Sequence, residues 1–176
     1  MKLPIVDASE IDQKLVDYYF DLSGFLILDN ALSPEELGEM NQWVDAHWSH
    51  VDGNLRHEGR KSEGEWIGHV EMHTYQDTDG VNFQNIVEGG AIFERLIDHS
   101  SWIELIRRYI NADVNGLSIH ESLLTVRSQG GFIGMHSGGH YPLSYFTFRH
   151  PRNGAWMVGQ INVLFPLEDV GPGDGP

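Results

Sequence analysis

The chain has no cysteine, so disulfides and thiolate metal sites are excluded together. Positive charge is also scarce. Eleven lysines and arginines face twenty-six aspartates and glutamates, for a net charge of -15 with histidine neutral. Such an acidic chain is repelled by phosphate backbones and anionic headgroups, which argues against nucleic-acid or membrane-surface partners. No apolar run approaches the ~20 residues that cross a bilayer. The opening "MKLPIVDASEIDQK" lacks the continuous apolar stretch of a secretory leader. The expected location is therefore cytoplasmic. Internal repeats and low-complexity tracts are absent too, and 176 residues suit a single domain, 1–176, with a core of its own.

Histidine is plentiful, with ten in the chain, and twenty glycines punctuate it. From Ile11 to Leu22, apolar residues at Leu15, Tyr18, Tyr19 and Leu22 have the spacing of an amphipathic helix, which Gly24 ends. "FLILD" follows as a short buried strand. In "LSPEELGEMNQWVDAH" Ser33 is an N-cap, Pro34 takes the first helical position and Glu36 completes a capping box. From His50 to Val87 the pattern breaks down into a polar, glycine-dotted stretch. That is too long for an idle loop and suits the cover of a site. Within it "WIGHVEMHTY" has strand character, while His69 and His73 are read as loop histidines rather than metal ligands. "AIFERLIDHSSWIELIRRYI" has helical spacing with a break near Ser100. After Asp113 the period changes to two, and "DVNGLSIHESLLTVRSQ" and "AWMVGQINVLFPLEDV" read as strands. Helices first and antiparallel strands afterwards predict an α+β, mainly β architecture: a helical and strand part over 1–112 supports a β-sandwich or barrel over 113–176.

The stretch with most chemistry is "GFIGMHSGGHYP", Gly131 to Pro142. Non-haem iron(II) centres use two histidines and one carboxylate on one face, commonly with His-x-Asp at a strand end. Here His136 follows a strand candidate, Gly138 stands where the acid would be, and His140 lies four residues on. In a glycine loop that spacing has no fixed geometry. A glycine-rich hairpin with incidental histidines fits the residues as well as half a metal site does.

Four segments, in order, resemble the phytanoyl-CoA dioxygenase family of iron(II)/2-oxoglutarate oxygenases over nearly the whole chain. "SGFLILDNALSPEEL" is similar to the family's opening strand and capped helix, and "IFERLIDHSSWIELIRRYI" to its second helical element. "LLTVRSQGGFIGMHSGG" is similar to the approach to the proximal metal histidine. "GQINVLFPLEDVGPGDGP" resembles the strand and turn before the distal one. The resemblance implies a double-stranded β-helix (jelly-roll, cupin-like) core with N-terminal supporting helices, together with iron(II) and 2-oxoglutarate. It makes His136 the proximal ligand, with His140 as a substitute for the missing acid.

Arg127 falls near a family position that is often basic and suited to a cosubstrate carboxylate. Thr125, on the same strand, joins it as a cosubstrate candidate. Gln160 and Asn162 are polar residues in an otherwise apolar strand and are candidates for the same role, although a solvent-facing placement explains them equally. Trp66, His69 and Tyr75 are candidates for touching substrate. The family's distal histidine and its carboxylate-binding arginine would lie beyond Pro176, so the expectation is a truncated chain with its last strands absent. A longer natural protein, or a second copy of this chain, would then cover the exposed sheet edges.

The expected activity is oxidoreductase chemistry, hydroxylation of a small-molecule metabolite. Two alternatives stay open: a 2-oxoglutarate-dependent halogenase, which Gly138 permits, and a binding module with a degenerate metal site.

Overall fold

The computed structural model describes residues 3–52, 65–74, 80–127, 130–132 and 148–171. The fold is mixed α+β, with one four-stranded antiparallel sheet and one parallel strand pair. Two compact units can be separated.

The first unit gathers Met1–Ser33, Asp98–Leu117 and Ser137–Val163. Strands β1 (Ile5–Asp7) and β2 (Ile27–Asp29) pair in parallel, joined by helix α1 (Gln13–Ser23). The helix starts where Asp12 accepts from the backbone N–H groups of Lys14 and Leu15, which satisfies two of the donors a helix N-terminus leaves open. It ends at Gly24, whose φ of 75° carries the left-handed turn, while the Gly24 N–H bonds to the Phe20 carbonyl. Val6, Val16 and Leu105 form the buried cluster, with Tyr19, Leu26, Leu28 and Tyr109 packed on it.

A polar clamp fastens this unit. The Arg108 guanidinium grips Asp17 in a fork, Nε to Oδ1 at 3.0 Å and Nη2 to Oδ2 at 2.5 Å, and the Tyr109 hydroxyl donates to Oδ1 at 3.1 Å. The Arg108 hydrogen bond holds the Asp17 carboxyl below its ordinary range against the opposing effect of burial. Burial, followed by the Asp17 charge, pushes the Tyr109 phenol up. The Tyr109 ring stacks on Phe20 with centroids 3.9 Å apart.

The second unit gathers Pro34–Ile97, Ser118–His136 and Leu164–Pro176. Helix α2 (Pro34–Ala46) begins at the expected proline, has Glu35 and Glu36 in its first turn, and is followed by the short α3 (Trp48–Asp52). The sheet contains β3 (Glu65–Ile67), β4 (Val70–Thr74), β5 (Val81–Gln84) and β6 (Leu123–Val126), in that order and all antiparallel. Side chains alternate across a strand. Val70, Met72, Thr74, Val81, Phe83, Leu124 and Val126 therefore share one face, and all except Val126 are buried. The Trp43 ring of α2 meets Phe83 edge-on at 5.3 Å and Phe93 at 5.4 Å. Phe93 belongs to the short α4 (Ala91–Glu94), next to the 3-10 turn Ile86–Gly89.

Several expectations change. "WIGHVEMHTY" is a hairpin, not one strand: β3 and β4 turn about Gly68, whose φ is 61°. Inside the stretch read as patternless, β5 is an inner strand of the sheet. The helical run from Ala91 stops at Glu94 and resumes as α5 (Ile103–Tyr109). Between them the polar run 98–101 makes local bonds instead: the Ser101 hydroxyl donates to the Ala31 carbonyl at 2.7 Å, and its N–H to His99 Nδ1 at 3.3 Å. Of "DVNGLSIHESLLTVRSQ", the start lies in helix α6 (Ala112–Asn115) and only β6 is strand. Of "AWMVGQINVLFPLEDV", only β8 (Trp156–Met157) is strand, paired with β7 (Phe148–Arg149). An extended segment needs a neighbour to take its backbone hydrogen bonds, and no strand lies beside 158–171 among the described residues.

Two tests follow from this packing. Phe83→Ala should cost about 3–5 kcal/mol, read as a lower urea midpoint for loss of the sheet. Asp17 has a depressed folded pKa, so its contribution is fully present above the unfolded value of 3.8 and is lost as pH falls through the lower folded value. Asp17→Asn should therefore lower the denaturation midpoint at neutral pH, with the gap to the parent narrowing below that value. A gap independent of pH would contradict the clamp.

Candidate functional site

The other face of the four-stranded sheet is polar. Register places His73 of β4 opposite Asn82 of β5, and Asn82 opposite Thr125 of β6. One pair along, Glu71 stands opposite Gln84, and Gln84 opposite Leu123. Trp66 of β3 extends this second row, opposite Glu71. Six polar or aromatic side chains thus share one face at strand spacing, ~4.8 Å between neighbours.

Asn82 is the centre of this array. It is 3% exposed, yet points away from the apolar core. Its Oδ1 accepts from the Thr125 hydroxyl at 2.7 Å, while its Nδ2 has no hydrogen-bond partner among the described residues. A buried amide donor left unmade costs ~1–3 kcal/mol, so the position calls for an oxygen acceptor. Thr74 Oγ1 is the other buried polar atom without a partner among the described residues, but it lies on the opposite, apolar face. Beside Asn82, His73 Nε2 sits 3.0 Å from Glu71 Oε2, both partly shielded from solvent.

Backbone geometry keeps the row together. Gly80, with φ of 75°, precedes β5 so closely against the Val126 carbonyl and the Arg127 side chain that a Cβ there would collide with them. Two residues beyond Thr125, Arg127 is exposed at the end of β6. Gln84 also forms one wall of a groove of about 330 Å3, lined further by Asn85, Val87 and residues 119–122.

The expected site residues are distributed unevenly over this arrangement. Thr125, a cosubstrate candidate, lies on the polar face, and Arg127, another, just past it. Trp66 is on the same face, 61% exposed. His69 is exposed in the β3–β4 turn, one residue from the glycine that makes the turn. Gln160 and Asn162 belong to the other unit. They lie outside any strand, with Gln160 Nε2 donating to Asn162 Oδ1 at 3.2 Å. The even choice between inward and outward strand faces does not arise for them. His136, Gly138, His140 and Tyr75 lie outside the described residues. Among the described residues, no three His, Asp or Glu groups converge as a metal cluster, and no helix is long and apolar enough to cross a membrane.

Asn82, Glu71, His73 and Gln84 were not singled out from sequence. His73, read as a loop histidine, is a half-buried strand residue. A signal existed: "VEMHT" alternates apolar and polar with period two, which marks a strand with one face of each kind.

No family model, curated protein or solved structure matches the chain.

The Thr125–Asn82 pair can be tested without any ligand. Thr125→Val leaves Asn82 with two unmet groups and should cost about 1–3 kcal/mol. Adding Asn82→Leu should return part of that, so the double variant is more stable than the sum of the single losses implies. Strict additivity in urea unfolding would show that the two side chains do not interact.

Proposed function

We propose that the chain carries an iron(II)/2-oxoglutarate-dependent oxygenase domain with a double-stranded β-helix core, acting on a small-molecule metabolite. The observation that bears most weight is the buried, half-satisfied Asn82 on a polar sheet face, bonded to Thr125 of β6, the strand that precedes His136 in sequence. Interiors of ordinary sheets are apolar, and a row of hydrogen-bonding side chains with one donor unmade fits a face that receives a ligand.

The described residues fit the cosubstrate better than they fit the metal. Asn82 Nδ2 is a donor for one carboxylate oxygen, and the Arg127 guanidinium supplies the positive charge that a dianion requires. Thr125 acts through Asn82: its hydroxyl proton is committed to Oδ1, which leaves the amide nitrogen as the unmatched donor. Iron would be held by His136, with His140 as a further ligand, and would supply dioxygen activation when bound. The chain's own task is to orient the cosubstrate, keep water from the reacting carbon and position the metabolite. Gly138 leaves the halogenase alternative as a variant of the same site.

The deciding experiment is anaerobic titration of iron(II) and 2-oxoglutarate into the parent and a His136→Ala variant. A visible charge-transfer band in the parent, absent from the variant, is the expected result. If chloride shifts that band, the halogenase variant gains support. A parent that binds 2-oxoglutarate with no band, and with an affinity unchanged by chelators, is a binding module and ends the oxygenase proposal.

A further inference from the structure

An asparagine directly before a glycine occurs twice in the chain, at Asn115 and at Asn153, and the structure treats the two differently. Such a step is reactive because glycine has no Cβ, so its backbone nitrogen can swing toward the side-chain carbonyl of the asparagine. The glycine nitrogen gives up its proton and bonds to Cγ. The Cγ–Nδ2 bond breaks, and Nδ2 takes up a proton and leaves as ammonia, which closes a five-membered succinimide. Water then opens that ring at either carbonyl and leaves aspartate or isoaspartate. Water is the only co-reactant.

At Asn115 the reacting groups are held back. Its Nδ2, the leaving nitrogen, donates to the Ile110 carbonyl at 2.5 Å, which ties the side chain to a residue earlier in the chain. The Asn115 N–H bonds to the Asn111 carbonyl at 3.0 Å and the Gly116 N–H to the Ala112 carbonyl at 2.7 Å, so the step is fixed in the end of α6. Asn153 is arranged the other way round. It lies in the exposed loop 151–155 between β7 and β8, where its Oδ1 accepts from the Ala155 N–H at 3.1 Å. The ring that this bond closes contains both Cγ and the Gly154 nitrogen, so the side chain is folded forward over the group that attacks it. The same bond polarises the Cγ carbonyl, as an N–H aimed at a developing oxyanion does in acyl transfer. It engages the oxygen and not the nitrogen that departs. The Gly154 N–H donates to the His150 carbonyl at 2.9 Å, and that bond has to open first. It spans a hairpin whose strands have two residues each, and so short a ladder opens at little cost.

We infer that Asn153 is a modification site: it deamidates spontaneously through a succinimide with Gly154, giving isoaspartate and aspartate, while the fold protects Asn115. The product adds a negative charge to the loop that leads into Trp156, and the isoaspartate form lengthens its backbone by a carbon. Trp156 Nε1 donates to the Asp21 carbonyl of α1 at 3.0 Å, so the change is passed to the contact between hairpin and helix.

The test ages the whole chain at mildly alkaline pH in heavy-oxygen water, once folded and once in concentrated urea. Peptide mapping by mass spectrometry, with electron-transfer fragmentation to tell isoaspartate from aspartate, follows both steps. In the folded chain Asn153 should convert roughly fivefold or more faster than Asn115, because fewer hydrogen bonds have to open. Its product should carry heavy oxygen and include isoaspartate. In urea the two rates should agree within about twofold, since the folded contacts that separate them are gone. Gly154→Ala should slow conversion at Asn153 by roughly tenfold in urea, where the variant's folding has no bearing. Asn115 converting as fast as Asn153 in the folded chain, or the same preference surviving in urea, would overturn the inference. So would an unchanged rate in Gly154→Ala, or a folded chain whose Asn153 stays intact while the urea-treated chain converts.

Discussion

The larger unit depends on one strand that is buried on both sides. Asn82 and Phe83 are neighbours in β5, point to opposite faces, and are 3% and 0% exposed. An antiparallel sheet usually offers one face to the core and the other to water; in β5 Val81, Asn82 and Phe83 are buried whichever face they take, and Gln84 alone is partly exposed. On the Phe83 side the reason is plain. Trp43 stands edge-on between Phe83 and Phe93, and Met40, Val44, Val70, Met72 and Leu124 complete an apolar layer. On the Asn82 side burial is expensive, and only one of the two amide groups is paid back by Thr125. The aromatic packing also fixes where the polar row points. A slip of one residue would drive Phe83 into that row and Asn82 into the core, so register and site are specified by the same contacts.

The smaller unit is held differently. Its parallel pair has three residues per strand and a small buried cluster of Val6, Val16 and Leu105. Beside that cluster a polar clamp joins α1 to α5 across long sequence separation, through the Arg108 fork on Asp17 and the Tyr109 hydroxyl. Exposed ion pairs contribute little individually. This one is bidentate and backed by a stacked aromatic ring, the combination in which geometry is held well enough to matter. Its acid sensitivity is thus separate from anything the polar sheet face does.

What was legible in the sequence follows from how local each signal is. Helices α1 and α2 were visible because caps and apolar spacing sit within a few residues: Gly24 ends the first, and Pro34 opens the second. Thr125 and Trp66 were also within reach, as polar or aromatic residues in strand-like runs. Asn82 was not, because its meaning depends on its partners. Only pairing β4, β5 and β6 sets it between His73 and Thr125, and Thr125 comes from a segment 43 positions away. The β-rich second half was overestimated for a related reason. Residues such as Val163 and Leu164 have strand propensity, yet propensity expresses fit to a half-buried pleated surface, and both are exposed here.

Charge explains why a site on this chain has to rely on short-range contacts. In the proposed reading, a dianionic cosubstrate approaching a protein of net charge -15 is screened from it beyond about a Debye length, ~8 Å at physiological salt, and repelled inside that distance. Inside that distance the relevant groups are a neutral amide donor and a single guanidinium, Asn82 and Arg127. The face is divided in a way that suits this reading: Asn82, Thr125 and Arg127 stand at its β6 end, where an anion would be accepted. The carboxylate stands toward β3, where it discourages a second anion from competing for the space beside Trp66. A chain this acidic, if it binds a dianion as proposed, is served by confining positive charge to one end of the row.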